Sequence, residues 1–140
     1  MLSHIYLGTN DPVRSEAFYA PIMALLGWRL RFSDSEVGWA GWAPATARRP
    51  LFITGRPYDG CPANPANGGM IALQSPDRAT VDAVFALALR GGGEGDGDPA
   101  VRPHYHRNFY GAYFRDPDGN KMCICCHEAP VDANGETRMT

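Results

Sequence analysis

Long runs of one charge are missing from this chain. Its 13 basic and 15 acidic residues leave a net charge of -2, and no basic run exceeds Arg48-Arg49. That excludes the electrostatic footprint which nucleic acid or an anionic membrane surface requires, and points to a small-molecule or protein partner. No apolar stretch approaches the roughly 20 residues that cross a bilayer. Met1 to Gly8 lacks the basic region of a secretory leader, and His4 and Tyr6 interrupt its apolar residues, so a cytoplasmic protein is expected. Cysteine is sparse too. Three of the 4 cysteines, Cys123, Cys125 and Cys126, crowd into one run where neighbours point to opposite strand faces, and only Cys61 stands apart. This spacing does not make a disulfide framework, and reduced thiols are expected. A phosphate-cradling loop is also lacking: Gly91-Gly92-Gly93-Glu94-Gly95 follows a helical pattern instead of opening one and carries no Lys or Ser/Thr.

What is present divides into two similar halves. Ser3 to Gly8 alternates, sending His4, Tyr6 and Gly8 to one face and Ile5 and Leu7 to the other. Asp11 then reads as a helix N-cap with Pro12 in the first turn. Val13, Ala17, Phe18, Leu25 and Leu26 give an apolar stripe that stops at Gly27, and Pro21 is expected to bend or interrupt it. Trp28 to Phe32, Val37 to Ala43 and Leu51 to Thr54 read as strands, the first two joined through Ser33 to Glu36. Gly55 to Gly69 shifts to Gly, Pro, Asn and Asp, and reads as a linker.

The second half repeats the order. Met70 to Gln74 reads as a strand, Ser75-Pro76 as a cap with a first-turn proline, and Val81, Val84, Phe85, Ala88 and Leu89 as a helical stripe. A loop over Gly91 to Pro99 leads to a short strand near Val101 to His104. Tyr110 to His127 then forms a hairpin about Asp116-Pro117-Asp118-Gly119-Asn120, where Pro fixes one φ and Gly or Asn accepts a positive one. His4-Ile5-Tyr6-Leu7 lies over Met70-Ile71-Ala72-Leu73 when the halves are aligned. The polar residues 128–140 read as a surface tail.

A β-α-β-β-β unit repeated once, opening on HIYLGTND and closing on RDPDGNK, resembles the vicinal oxygen chelate superfamily of glyoxalases, extradiol dioxygenases and bleomycin-resistance proteins. The resemblance spans roughly residues 1–127, with module one over about 1–55, a linker over 56–68 and module two over 69–127. It implies an α+β fold in which two curved mixed sheets form a cup with helices on the outer faces, and a homodimer.

Metal-dependent members hold a divalent ion with His or Glu from the first and last strands of each module. At those four positions this chain offers His4, Met70, Phe52 or Ile53, and Cys123. One imidazole with a thioether, a hydrocarbon and a thiol is not the oxygen and imidazole set that such an ion needs, so no cofactor is expected and His4 is the one retained ligand position. The expected activity is binding of a small, partly aromatic or apolar molecule in the cup, with His4, Tyr6, Met70, His106, Arg107, Tyr110 and Cys123 as its contacts. A metal-dependent lyase, isomerase or dioxygenase using His4 and non-standard ligands is the alternative. A third reading makes the cup mainly a structural or dimer core.

Other groups carry two readings each. Cys123, Cys125 and His127 share a strand face, either as a thiol site or as small core side chains, with Cys123 the thiol to test. His104 and His106 interleave with Tyr105, Phe109 and Tyr110 as stacking or acid/base groups, or as solvated surface. Arg107 or Arg102 is the expected contact for an anion. Trp39 and Trp42, three apart on a strand, point to opposite faces, so at most one lines the cup.

Overall fold

The computed structural model describes residues 1–130, 134 and 136. Its elements follow the expected double order: β1 (His4–Gly8), α1 (Pro12–Leu25), β2 (Trp28–Asp34), β3 (Trp39–Pro44), β4 (Leu51–Gly55), then β5 (Ile71–Gln74), α2 (Arg78–Arg90), β6 (Glu94–Val101), β7 (Tyr110–Arg115) and β8 (Lys121–Cys126). Two four-stranded mixed sheets result, in the orders β1-β4-β3-β2 and β5-β8-β7-β6. In each, the strand before the helix pairs parallel with the last strand of its module, and the remaining pairs are antiparallel.

Each sheet has one face covered by its own helix, and the helices also pack on each other. Phe18, Tyr19, Ile22 and Met23 of α1 and Val81, Val84, Phe85 and Ala88 of α2 join Trp42, Phe52, Phe114, Met122 and Ile124 in one core. Phe18 crosses to Phe114 of module two with ring centroids 6.1 Å apart. Tyr19 is fully buried, and its hydroxyl donates to Asp116 Oδ2 at 2.7 Å. The turn of the β7–β8 hairpin is therefore anchored on α1. Asp118 extends that anchor by accepting from Thr9 Oγ1 at 2.6 Å and from the Asn10 amide at 2.9 Å.

The α1 stripe differs from the expected one: Val13 and Leu25 are exposed, and the buried face runs through Phe18, Tyr19, Ile22 and Met23. Pro21 does not interrupt the helix. It lies on the exposed side with Ala17 and Ala20, where the Ala17 carbonyl it leaves without a donor can meet water. The β2–β3 turn falls at 35–38 instead of 33–36, and Gly38 takes the positive φ of 83° it requires.

In module two Asp77, and not Ser75, caps the helix. Asp77 Oδ1 accepts from the Thr80 amide at 2.8 Å, three residues on, whereas the Ser75 hydroxyl is spent locally, donating to the Asp77 carbonyl at 2.7 Å. The largest departure is β6, a strand over residues expected to form a loop. It is the sheet's edge and bulges twice, between Gly95 and Gly97 and between Gly97 and Ala100, so Pro99 removes no hydrogen bond from a central ladder. The tail reading lies largely outside the described residues.

Candidate functional site

The side of each sheet that its helix leaves uncovered carries the candidate residues. In module one a cavity of about 820 Å³ opens beside the C-terminal end of β1, lined by Tyr6, Trp39, Arg56, Tyr58, Pro57 and Pro62 among others. The alternation that sets half-buried Leu7 against the core turns Tyr6 the other way, and the parallel register sets it beside Ile53. Trp39 takes the same face while Trp42, 2 % exposed, enters the core. A register shift between Leu30 and Phe32 brings Phe32 to that side as well, 5.1 Å from the Trp39 ring.

Gly55 makes the floor possible: a Cβ there would collide with the Tyr6 hydroxyl and come within 2.9 Å of Trp39 Cβ. The Tyr6 hydroxyl donates to the Arg56 carbonyl at 2.6 Å, and burial raises its pKa. The linker supplies the far wall. Asn10 ties it down, Nδ2 donating to the Ala63 carbonyl at 3.0 Å and Oδ1 accepting from the Ala63 amide at 2.7 Å. Arg56 pairs with no carboxylate among the described residues, leaving a cation at a site whose other lining is mostly aromatic and apolar, with Thr9 and Asn10 as polar groups.

The uncovered face of module two is built differently. Cys123 of β8 stands between Ala72 and Tyr113, and Cys125 between Gln74 and Gly111. Arg102 lies over the Tyr113 ring at 4.9 Å and Lys121 at 5.4 Å. Beyond Cys125, His127 Nε2 is 3.7 Å from the Cys125 sulfur, and His127 Nδ1 is 2.9 Å from His106 Nε2. A hydrogen bond from the Cys123 thiol and the neighbouring His127 draw the Cys125 pKa down to about 6 against the effect of burial. Cys123 moves the other way, because its thiol is held by Cys125 and buried.

The expected contacts are therefore not brought into one cavity. Tyr6 lines the module-one cavity. His4 is exposed near its rim strand, with Ser3 Oγ 3.0 Å from its Nδ1. Met70 edges a cleft of about 270 Å³ with Leu7, Asn120 and Lys121. Cys123 and His106 belong to the thiol face, and Arg107 is exposed. Tyr110 clamps β7 to α2, donating to Asp82 at 2.6 Å beneath Arg78, and burial and that carboxylate push its phenol up to about 12. Sequence reasoning missed Arg56, Tyr58 and the other linker residues as a cavity wall. A lone tyrosine inside a Gly/Pro-rich stretch was the available signal.

The family model for the Glyoxalase/Bleomycin resistance protein/Dioxygenase superfamily matches residues 1–124. The chain belongs to that superfamily. A glyoxalase/bleomycin resistance protein from Albidiferax ferrireducens T118 is 29 % identical, with a TM-score of 0.76 over 90 % of this chain and 98 % of that one. A superfamily enzyme from Burkholderia phytofirmans PsJN is 18 % identical, with a TM-score of 0.68 over 89 % and 97 % of the two chains. The lactoylglutathione lyase of Agrobacterium tumefaciens is 18 % identical, with a TM-score of 0.61 over 90 % and 92 %. At these last two identities the likeness concerns the fold. No curated protein matches the chain significantly.

The donor set does not fit the divalent ion that metal-dependent members of the glyoxalase superfamily hold. His4 shares its sheet face with Leu51 and Ile53, and Phe52 is turned into the core. Met70 precedes β5 and edges the cleft with Leu7 and Lys121, while Cys123 pairs with Ala72. Among the described residues no three His, Cys, Asp or Glu side chains gather as a metal ion requires.

Proposed function

We propose that this glyoxalase-superfamily protein binds a small aromatic or apolar organic molecule with an anionic substituent in the module-one cavity, without the superfamily's metal. The carrying observation is that cavity: about 820 Å³, within the usual range for ligand sites, with Tyr6, Trp39 and Tyr58 for ring contacts and the unpaired Arg56 for charge. Thermal unfolding of the purified protein against a panel of aromatic carboxylates, aromatic sulfonates and thiol conjugates tests it. A ligand at a hundred times its Kd stabilises the folded state by about 2.7 kcal/mol, and that stabilisation disappears in Trp39→Ala. A panel without such a shift contradicts the reading.

The metal-dependent alternative keeps one supporting feature, the exposed imidazole of His4. Elemental analysis separates the two readings: stoichiometric zinc, nickel, iron or manganese lost on His4→Ala favours the alternative.

A further inference from the structure

We propose that Cys125 is a nucleophilic thiol, held for attack by Cys123 and His127 with His106 as a positioning residue, and suited to addition onto small α,β-unsaturated carbonyl compounds. The module-one cavity plays no part in this site, so either assignment can fail without the other.

Strand alternation places Cys123, Cys125 and His127 on one side of β8 and its continuation. The loop before β7 supplies His106. The direction of the hydrogen bonds is set by a backbone amide, which can only donate. The Asn108 N–H donates to His106 Nδ1 at 3.1 Å, so neutral His106 carries its proton on Nε2 and donates to His127 Nδ1 at 2.9 Å. Neutral His127 then carries its own proton on Nε2, which points at the Cys125 sulfur 3.7 Å away. The His127 N–H is aimed at the Cys125 sulfur, with the Cys123 thiol on the same strand face, and a sulfur so placed is stabilised as thiolate. His127 thus serves as a hydrogen-bond donor to the thiolate, and His106 fixes its orientation and tautomer.

Among the described residues that pair with or touch Cys125, none is an acid. Of the elements around it, β8 presents Cys123 and His127, the loop presents His106, β5 presents uncharged Gln74 and β7 presents Gly111. Tyr113 and Arg102 lie farther along, beside Cys123, and burial raises the phenol, so Tyr113 adds no negative charge there. The Arg102 guanidinium donates to the carbonyls of Asp98 at 2.8 Å and Gly111 at 3.4 Å, and no carboxylate pairs with it among the described residues. Its charge is on the face where an enolate oxygen would develop. In the addition the thiol proton leaves to solvent and the Cys125 sulfur bonds to the β-carbon. The alkene pair moves into the enolate, and water returns one proton to the α-carbon. No leaving group, oxidant or reductant is needed. With Cys125 4 % exposed under the Phe109 and His127 rings, which lie 5.4 Å apart, only small electrophiles are expected to enter.

N-ethylmaleimide pulses on the full chain between pH 5 and 9, with modified cysteines located by fragmentation of the peptide beginning at Met122, test the proposal. Cys125 should be the first of the three clustered thiols modified, with a rate whose midpoint lies near pH 6, where an ordinary thiol has its midpoint near about 8.5. His127→Ala should move that midpoint up by at least about one pH unit. His106→Ala, a change at an exposed loop residue, should move it in the same direction and keeps the test open if His127→Ala fails to fold. Cys125→Ser should abolish the low-pH phase. An unmodified Cys125, or a midpoint that neither histidine variant moves, overturns the assignment.

Discussion

At the scale of single residues, one glycine decides how the module-one cavity is floored. Gly55 has no room for a methyl group, because its Cβ would meet Tyr6 and Trp39. Gly55→Ala should push Tyr6 and Trp39 toward the cavity, costing about 1–3 kcal/mol of stability from overpacking and weakening ligand binding. Equilibrium urea unfolding beside a ligand titration measures both; unchanged affinity would show that the floor does not shape the site. The residue scale is also where the sequence was hardest to read. Alternation placed Tyr6 on the face away from the helix and set Trp39 and Trp42 on opposite faces, since strand parity is local, but it left open which tryptophan enters the core. Which thiol is activated was not legible. That depends on His106, brought 21 positions along the chain to His127 by a loop with no periodic signal.

At the scale of elements, both helices begin on an aspartate. Asp11 Oδ1 accepts from Arg14 N at 3.1 Å, and Asp77 Oδ1 from Thr80 N at 2.8 Å. The first was legible from Asp11-Pro12. The second was displaced by two residues, because Ser75-Pro76 offers an equally good local pattern and only the Ser75 hydroxyl's own backbone bond disqualifies it. Hydrogen bonds to Thr80 lower the Asp77 pKa, so its contribution is present above the unfolded value of about 3.9 and is lost as pH falls through the lower native value. Asp77→Ala should therefore cost about 1 kcal/mol at neutral pH, and the difference from wild type should shrink toward pH 3. Urea midpoints at the two pH values read this directly, and a deficit that grows on acidification would contradict the capping role. The strand β6 escaped sequence reading because Gly, Pro, Asp and Glu, all poor strand formers, make up most of it. Its position is set by pairing with β7 and not by its own propensity.

At the scale of the whole molecule, the double β-α-β-β-β order was legible except for the place of β6, because strand alternation, helix caps and the DPDGN turn each signal locally. The junction of the halves was not: Phe18 against Phe114, Tyr19 on Asp116 and Asp118 on Thr9 are contacts about a hundred residues apart. Asp116 accepts from Tyr19 across that junction and from Asp118 and Asn120 within its own turn, which explains why a turn with two acids is structural. The open faces bear on assembly. Tyr6, Val37, Trp39 and Met70 are exposed on or beside the uncovered sides of the sheets, and we propose that a second copy shields part of them in a homodimer. Sedimentation velocity at micromolar concentration should give a dimer, and a monomer at all concentrations would contradict that arrangement. The cavity itself is the central claim. Its most direct test is a titration with 8-anilinonaphthalene-1-sulfonate, an anionic aromatic probe, read by energy transfer from tryptophan in the wild type, Trp39→Ala and Arg56→Ala. The account predicts saturable binding to one site, weakened about 30-fold by loss of the Trp39 ring and about tenfold by loss of the Arg56 charge. Probe binding of equal affinity in all three proteins would contradict it.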